Sequence, residues 1–308
     1  MEKLNNGPYK VVAVGLDLTE MDDRLIQYTA LMTKIAPIER IFFVHFSKDL
    51  ELPQDIRNKY PNLLAPLDES IEKDIKAKVQ KHLGDQELDI NYLVEEGNPI
   101  EKLLKLTKIK DVDLILMGRK KSLKGSGIVS SHIARKSPCS LLLVTEDFHD
   151  RLKTIMVPVD FSDHSFIATK QALGLAQKAD AEVILSHTYH VPSGYHKTGK
   201  SHEEFAEIMK SHAQNDCKRF LQAHELPKDL RCEYMLTNDG LTAELIYSYG
   251  RNAHVDLIVM GSKGRTRTSA ILMGSLAEKI VFKSVDIPIL IVKSKGENMG
   301  FLEALLSV

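Results

Sequence analysis

The sequence predicts an α/β protein made of two doubly wound domains in tandem, each built on a five-stranded parallel sheet. Three observations carry this. The segment VDLILMG at Val112–Gly118 returns as VDLIVMG at Val255–Gly261. The same offset of 143 residues pairs Asp17 with Asp160, Gly97 with Gly240 and Ala134 with Ala277, so the chain holds two copies of one unit. Within each copy, short apolar runs alternate with stretches of helical periodicity, the order that builds a parallel sheet covered on both faces.

In the first copy, VVAVGLD (Val11–Asp17) is a Val-rich strand. Leu25, Tyr28, Met32 and Ile35 follow at helical spacing. A strand at Ile41–His45, a helix over Ile71–Leu83 and a strand at Ile90–Val94 come next. Pro99 opens a further helix, and strands at Leu114–Met117 and Ser140–Val144 complete the set. The second copy repeats the order. Thr154–Val159, Val183–His187, Cys232–Leu236, Leu257–Met260 and Ile287–Val292 read as strands. Helices are expected over Ile167–Ala176, Glu204–Leu221, Ala243–Tyr249 and from Leu276 onward.

The expected boundaries are residues 1–147 and 151–296, joined through the short polar stretch Glu146–Arg151 and followed by a tail, 297–308. In the tail, Phe301, Leu302, Leu305 and Leu306 fall on one helical face, which predicts docking on this chain or on a second copy in a homodimer. The apolar final strand of each copy leaves an edge that needs cover, so the two copies are expected to pair as an intramolecular pseudo-dimer.

Composition narrows the function. A chain of 308 residues suits two domains. Net charge is -1, without the basic excess that drives nucleic-acid binding. No apolar run is long enough to span a bilayer, and the polar start MEKLNNGPYK lacks a signal core, so a cytoplasmic protein with no membrane partner is expected. The three cysteines, Cys139, Cys217 and Cys232, have no CxxC spacing and fit a reducing compartment; Cys217 and Cys232 read as core thiols.

Open parallel sheets bind ligands at the carboxyl ends of strands where strand order reverses. Two loops therefore matter, after Val159 and after Met260. The second reads GSKGRTRTSAILMGSLAEKIV, with Gly261, Gly264 and Gly274 followed by Ser275. Glycines let backbone amides approach an anion, and a helix starting near Ser275 adds free amides and a positive dipole end. The chain has no GK[ST], so this is not a Walker loop. Plainer readings stand beside this one. Ser275 and Glu278 have capping-box spacing, Gly261 and Gly264 could shape a turn, and Asp160 could cap the next helix.

This glycine spacing, between VDLIVMG and DIPILIV (Asp286–Val292), resembles the ATP-binding members of the universal stress protein family, as does VPVDFSDHS at Val157–Ser165. The resemblance spans both halves and implies a Rossmann-like fold of the HUP type. It implies ATP, with or without Mg²⁺, as the cofactor, and a role in stress response or regulation. Carried onto this sequence, it implies that Asp160 binds the ribose end and the Thr188 backbone contacts adenine. Gly261, Gly264, Gly274 and Ser275 would hold the phosphates, with Pro158, Val159, Met260, Lys263, Leu276 and Ala277 completing the site.

The first copy departs from this pattern. Its loop, GRKKSLKGSGIVSSH, puts Lys121, Ser131 and His132 where the second copy has Gly264, Gly274 and Ser275. One nucleotide per chain, in the second domain, is the expectation. The basic run Arg119, Lys120, Lys121 and Lys124 reads as a solvated loop. The histidines between His187 and His202 match no metal-site spacing and read as a loop over the site or plain surface. No GxSxG, HExxH or kinase signature occurs. Two alternatives remain: a slow ATP hydrolase or nucleotidyl transferase, with Lys263 or Arg265 stabilising charge, and a scaffold that binds nothing.

Overall fold

A computed structural model describes residues 9–48, 50, 67–84, 86–121, 128–237, 241–264, 272–283, 285–294 and 300. Gly240, Arg265, Lys124 and the apolar residues of the tail lie outside these. The chain divides into two compact units, Asn6–Asp150 and Arg151–Val292.

The first unit runs β1 (Val11–Gly15), α1 (Met21–Ile35), β2 (Arg40–Ser47), α2 (Leu67–Leu83), β3 (Asp89–Glu96), α3 (Pro99–Ile109), β4 (Leu114–Arg119), α4 (Ile128–Lys136) and β5 (Ser140–Thr145). Its strands lie in the order β3-β2-β1-β4-β5, all parallel. The order reverses at β1, between β2 and β4, which puts a crevice at their carboxyl ends. Leu25, Tyr28, Met32 and Ile35 face the core from α1, as their spacing predicts. Asn98 caps α3, its side chain accepting from the amides of Ile100 and Glu101. The polar stretch after β5 is held against α1. Phe148 meets Tyr28 edge-on at 4.9 Å, and Arg24 lies over Phe148 and donates to Glu146 O at 3.0 Å.

The second unit runs β6 (Thr154–Pro158), α5 (Asp163–Ala179), β7 (Glu182–Tyr189), α6 (His202–Ala223), β8 (Arg231–Leu236), α7 (Thr242–Asn252), β9 (Leu257–Gly261), α8 (Ser275–Lys283) and β10 (Ile289–Val292). Its order, β8-β7-β6-β9-β10, is that of the first unit, again all parallel. Ser201 and Glu204 form a full capping box at the start of α6.

The repeat extends to atomic detail at the closed end of each sheet. The amides of Lys10 and Val11 donate to Asp113 Oδ2 at 3.0 and 2.9 Å. The amides of Lys153 and Thr154 donate to Asp256 Oδ2 at 2.7 and 3.0 Å. Each carboxylate is buried and satisfies two amides that enter the sheet's central strand. Leu18 and Phe161, one per copy, both hold a left-handed backbone with φ 61° and 63°, turning the chain out of that strand.

Candidate functional site

The second unit has a cavity of about 460 Å³ at the carboxyl ends of β6, β7 and β9. All twelve residues singled out in the sequence line it: Pro158, Val159 and Asp160 at the end of β6 and just past it, Thr188 on β7, Met260 and Gly261 at the end of β9 with Lys263 and Gly264 beyond it, and Gly274, Ser275, Leu276 and Ala277 at the start of α8.

Asp160 is fixed by its own turn. Its Oδ1 accepts from the Ser162 amide at 3.1 Å, the Ser162 hydroxyl at 2.6 Å and the Ser165 hydroxyl at 3.1 Å. Its other oxygen lies toward Gly264, so close that a Cβ there would stand 2.7 Å from it. The helix cap itself is Ser162, whose hydroxyl accepts from the Ser165 amide at 3.3 Å. The capping reading of Asp160 is therefore corrected: Asp160 orients the residue that caps.

The three glycines have different duties. A Cβ on Gly261 would meet the His164 carbonyl oxygen at 2.8 Å, so this glycine lets β9 approach the first turn of α5. Gly264 leaves room beside the Asp160 carboxylate. Gly274 is the N-cap of α8, its carbonyl accepting from the Glu278 amide at 2.9 Å. Ser275 is the first helical residue, so the capping box suggested by Ser275 and Glu278 gives way to a glycine cap. The Gly274 amide donates to Ser262 O at 2.8 Å and is committed to that bond. The cavity-lining amides without an acceptor four residues back inside α8 are those of Ser275, Leu276 and Ala277.

Other lining residues lie outside those twelve. His187 Nδ1 lies 2.8 Å from Val159 O and its ring stacks on Phe161 at 4.3 Å. Donation to that carbonyl places a proton on Nδ1. Ser186, on β7, has a buried hydroxyl with no hydrogen-bond partner among the described residues. Helix α6 forms a wall with Met209, His212, Ala213 and Asp216. Two sequence signals could have found these: Ser186 interrupts the apolar run of β7, and the four α6 residues share one helical stripe. Of the histidines between His187 and His202, only His187 and His190 are among the described lining residues. Among the described residues, no group of three or more His, Cys, Asp or Glu could hold a metal ion.

The first unit has a cavity of about 450 Å³ at the same place in its fold. Its chemistry differs. Asp17 Oδ2 accepts from Lys120 Nζ at 2.6 Å, and Oδ1 accepts from the Thr19 hydroxyl at 2.6 Å. Burial pushes the Asp17 carboxyl up, but the bonds from Lys120 and Thr19 outweigh this and hold it below the usual carboxylate value. Asp22 stands where the second unit has Ser165 and accepts from the amides of Asp17 and Leu18 at 3.0 and 2.9 Å. Its burial raises its carboxyl, against the bonds from those amides. Met21, Leu25, Phe46, Leu103, Met117 and Val129 make much of the wall apolar. Helix α4 begins at Ile128, four residues earlier than α8 relative to the repeat. In a regular helix the amides of His132, Ile133 and Ala134 are then spent on carbonyls one turn back. The first-turn amides of α4 therefore fall four residues earlier in the repeat than those of α8, with Val129 and Ser130 among them on the cavity wall.

The universal stress protein family model matches residues 8–145 and 151–293, and the chain belongs to that family as a tandem pair of its domains. One universal stress protein of Methanocaldococcus jannaschii is 34% identical over 144 residues, covering 46% of this chain and 82% of the relative. Another from the same organism is 30% identical over 159 residues, covering 47% of this chain and 96% of the relative. A universal stress protein from Archaeoglobus fulgidus has a solved structure with a TM-score of 0.61 at 16% identity, covering 96% of this chain and 100% of that one, a likeness of fold. Among the described residues, no helix is long and apolar enough to cross a membrane.

Proposed function

We propose that the second domain binds one ATP per chain and that the protein is a nucleotide-responsive regulator in the stress response. One observation carries this reading: a single cavity joins the first-turn amides of α8 to the Asp160 turn and to the end of β7. Phosphates suit the amides of Ser275, Leu276 and Ala277, where the helix dipole favours negative charge, and Lys263 adds a cation. Asp160, oriented by Ser162 and Ser165, would take the ribose hydroxyls. The base would lie by Thr188, where an adenine nitrogen or amino group also offers the buried Ser186 hydroxyl a partner. Such a ligand fits the donor set that the residues supply. As a regulator, the protein would respond through the difference in ATP affinity between two of its states.

Titration calorimetry with ATP on the full chain and on Gly274→Val tests the reading. The expected result is one site in the full chain and a loss of at least about a hundredfold in the variant, since branched carbons at residue 274 crowd the amides that would hold the phosphates. Thermal unfolding of the variant shows whether its fold is retained. Two equivalent sites in the full chain, or undiminished affinity in a folded variant, would overturn it.

A further inference from the structure

The wall of the first domain's cavity can be matched to that of the second bond by bond. The Leu16 amide donates to Val44 O at 2.8 Å, and His45 Nδ1 lies 3.0 Å from Leu16 O. The Val159 amide donates to Ser186 O at 2.8 Å, and His187 Nδ1 lies 2.8 Å from Val159 O. Val44 therefore holds the place of Ser186. Phe46, two residues along β2 and so on the same face, holds that of Thr188. All four residues line their cavities, so two polar wall positions of the second domain are apolar in the first. Met21, Leu25 and Leu103, each buried, continue that apolar wall.

Charge narrows what such a chamber can take. Lys120 is the single Lys or Arg among the described lining residues, and its Nζ is bound to Asp17 Oδ2 at 2.6 Å. Asp22, a second lining carboxylate, is 2% exposed; Lys78 Nζ lies 4.0 Å from it but is not among the described lining residues. Two carboxylates against one ammonium oppose an anion, because a charge brought between apolar walls needs a partner. A cation finds both carboxylates committed, Asp17 to Lys120 and Asp22 to the amides of Asp17 and Leu18. A hydroxyl needs no counter-charge, and the half-exposed Asp17 carboxylate has lone pairs to accept from it. Val129 is 37% exposed and Phe46 and Met117 are part-exposed, so the apolar wall is open to an entering molecule. A volume of about 450 Å³ suits a small organic ligand.

We propose that the first-domain cavity binds an uncharged amphiphile, an apolar body with a hydroxyl head. The body lies against Val44, Phe46 and Leu103, and the head meets the Asp17–Lys120 pair. The inference stands on the first domain's own wall and is independent of what the second domain binds.

The test titrates the full chain with N-phenyl-1-naphthylamine, an uncharged probe whose fluorescence rises in apolar surroundings. Competitors at pH 8 are 1-octanol, octanoate, octylamine and ATP. Binding of the probe is expected, with displacement by 1-octanol, displacement at least about tenfold weaker by octanoate and by octylamine, and none by ATP. Phe46→Asp and Val129→Glu each put a carboxylate on the wall and should weaken the probe at least about tenfold, whereas Thr188→Asp in the second domain should leave it unchanged. Val129 is on the exposed side of α4, so its variant reports even where Phe46→Asp does not fold. No probe binding, displacement by ATP, octanoate or octylamine competing as well as 1-octanol, undiminished affinity in folded Val129→Glu, or a loss confined to Thr188→Asp would overturn the proposal.

Discussion

Asp113 and Asp256 hold matching places in the two domains and make the same bonds, each taking the two amides that enter the central strand. Asp17 and Asp160 also match, yet their surroundings have parted. Asp17 is bound to Lys120 beside a largely apolar cavity, and Asp160 is locked to Ser162 and Ser165 beside a helix that starts four residues later in the repeat. The same contrast separates Gly118 from Gly261. A Cβ on Gly118 would meet side-chain atoms alone, Met21 Cγ at 2.5 Å, whereas one on Gly261 would meet the backbone of His164. The difference teaches that cavity volume, nearly equal in the two domains, says little about what a cavity can take. The helix start and the groups around the aspartate decide that.

The sharpest way to break the comparison is to graft a first-domain residue into the second. Gly264→Lys places the side chain found at Lys121 where a Cβ alone would stand 2.7 Å from the Asp160 carboxylate. Displacing phosphates from two amides at about 1.5–3 kcal/mol each predicts a loss of ATP affinity of at least about a hundredfold by calorimetry. Affinity equal to the parent chain would mean that this glycine does not separate the two domains.

A smaller effect, and an equal one in both domains, is expected at the shared aspartates. Asp113→Ala and Asp256→Ala each strand two amides, at a cost of about 3 kcal/mol in chemical denaturation of the affected domain. A marked inequality would show that the closed ends are less alike than their bonds suggest. Smaller again is the glycine pair. Gly261→Ala should cost about 2 kcal/mol, because backbone must move, and Gly118→Ala less, because the buried Met21 side chain, met at its Cγ, has to turn but no backbone does. A reversed order in thermal unfolding would contradict the backbone contact.

The smallest expected effect concerns pH. Asp17 titrates below its unfolded value, so its contribution to stability is present above the unfolded carboxylate pKa and fades as pH falls through the depressed one. Lys120→Met removes the main favourable partner. The Asp17 carboxyl signal should then titrate at higher pH by nuclear magnetic resonance, and the acid-side loss of first-domain stability should shrink. The carboxylate is largely exposed, so the change in stability is small. An unmoved titration would show that Thr19 and the turn set the Asp17 carboxyl without Lys120.

The fold was legible because its signals are local and repeated. Strand and helix periods, and a seven-residue segment copied at a fixed offset, specify two parallel sheets without any knowledge of long-range contacts. The cavity-lining residues were legible through glycine spacing and the switch-point rule. What each glycine does was not. The contact of Gly261 with His164 and the bond of the Gly274 amide to Ser262 join distant or curled-back segments that no periodicity encodes. The extra turn of α4 was hidden too, since Ile-Val-Ser-Ser reads equally well as loop or helix. The wall supplied by α6 is not legible because its stripe, Met209, His212, Ala213 and Asp216, mixes apolar and polar residues and marks neither a core face nor a site.

The paired aspartates at the closed ends have a practical meaning for anyone redesigning this chain. They fasten each sheet at the end remote from its cavity, so the loops and helix starts around the opening behave as interchangeable parts on a common chassis. A new recognition surface could be fitted to either half by rewriting the segment between β4 and α4, or its counterpart between β9 and α8, while leaving Asp113 and Asp256 untouched. The first domain, with an apolar chamber already in place, offers an opening for a ligand of a wholly different kind.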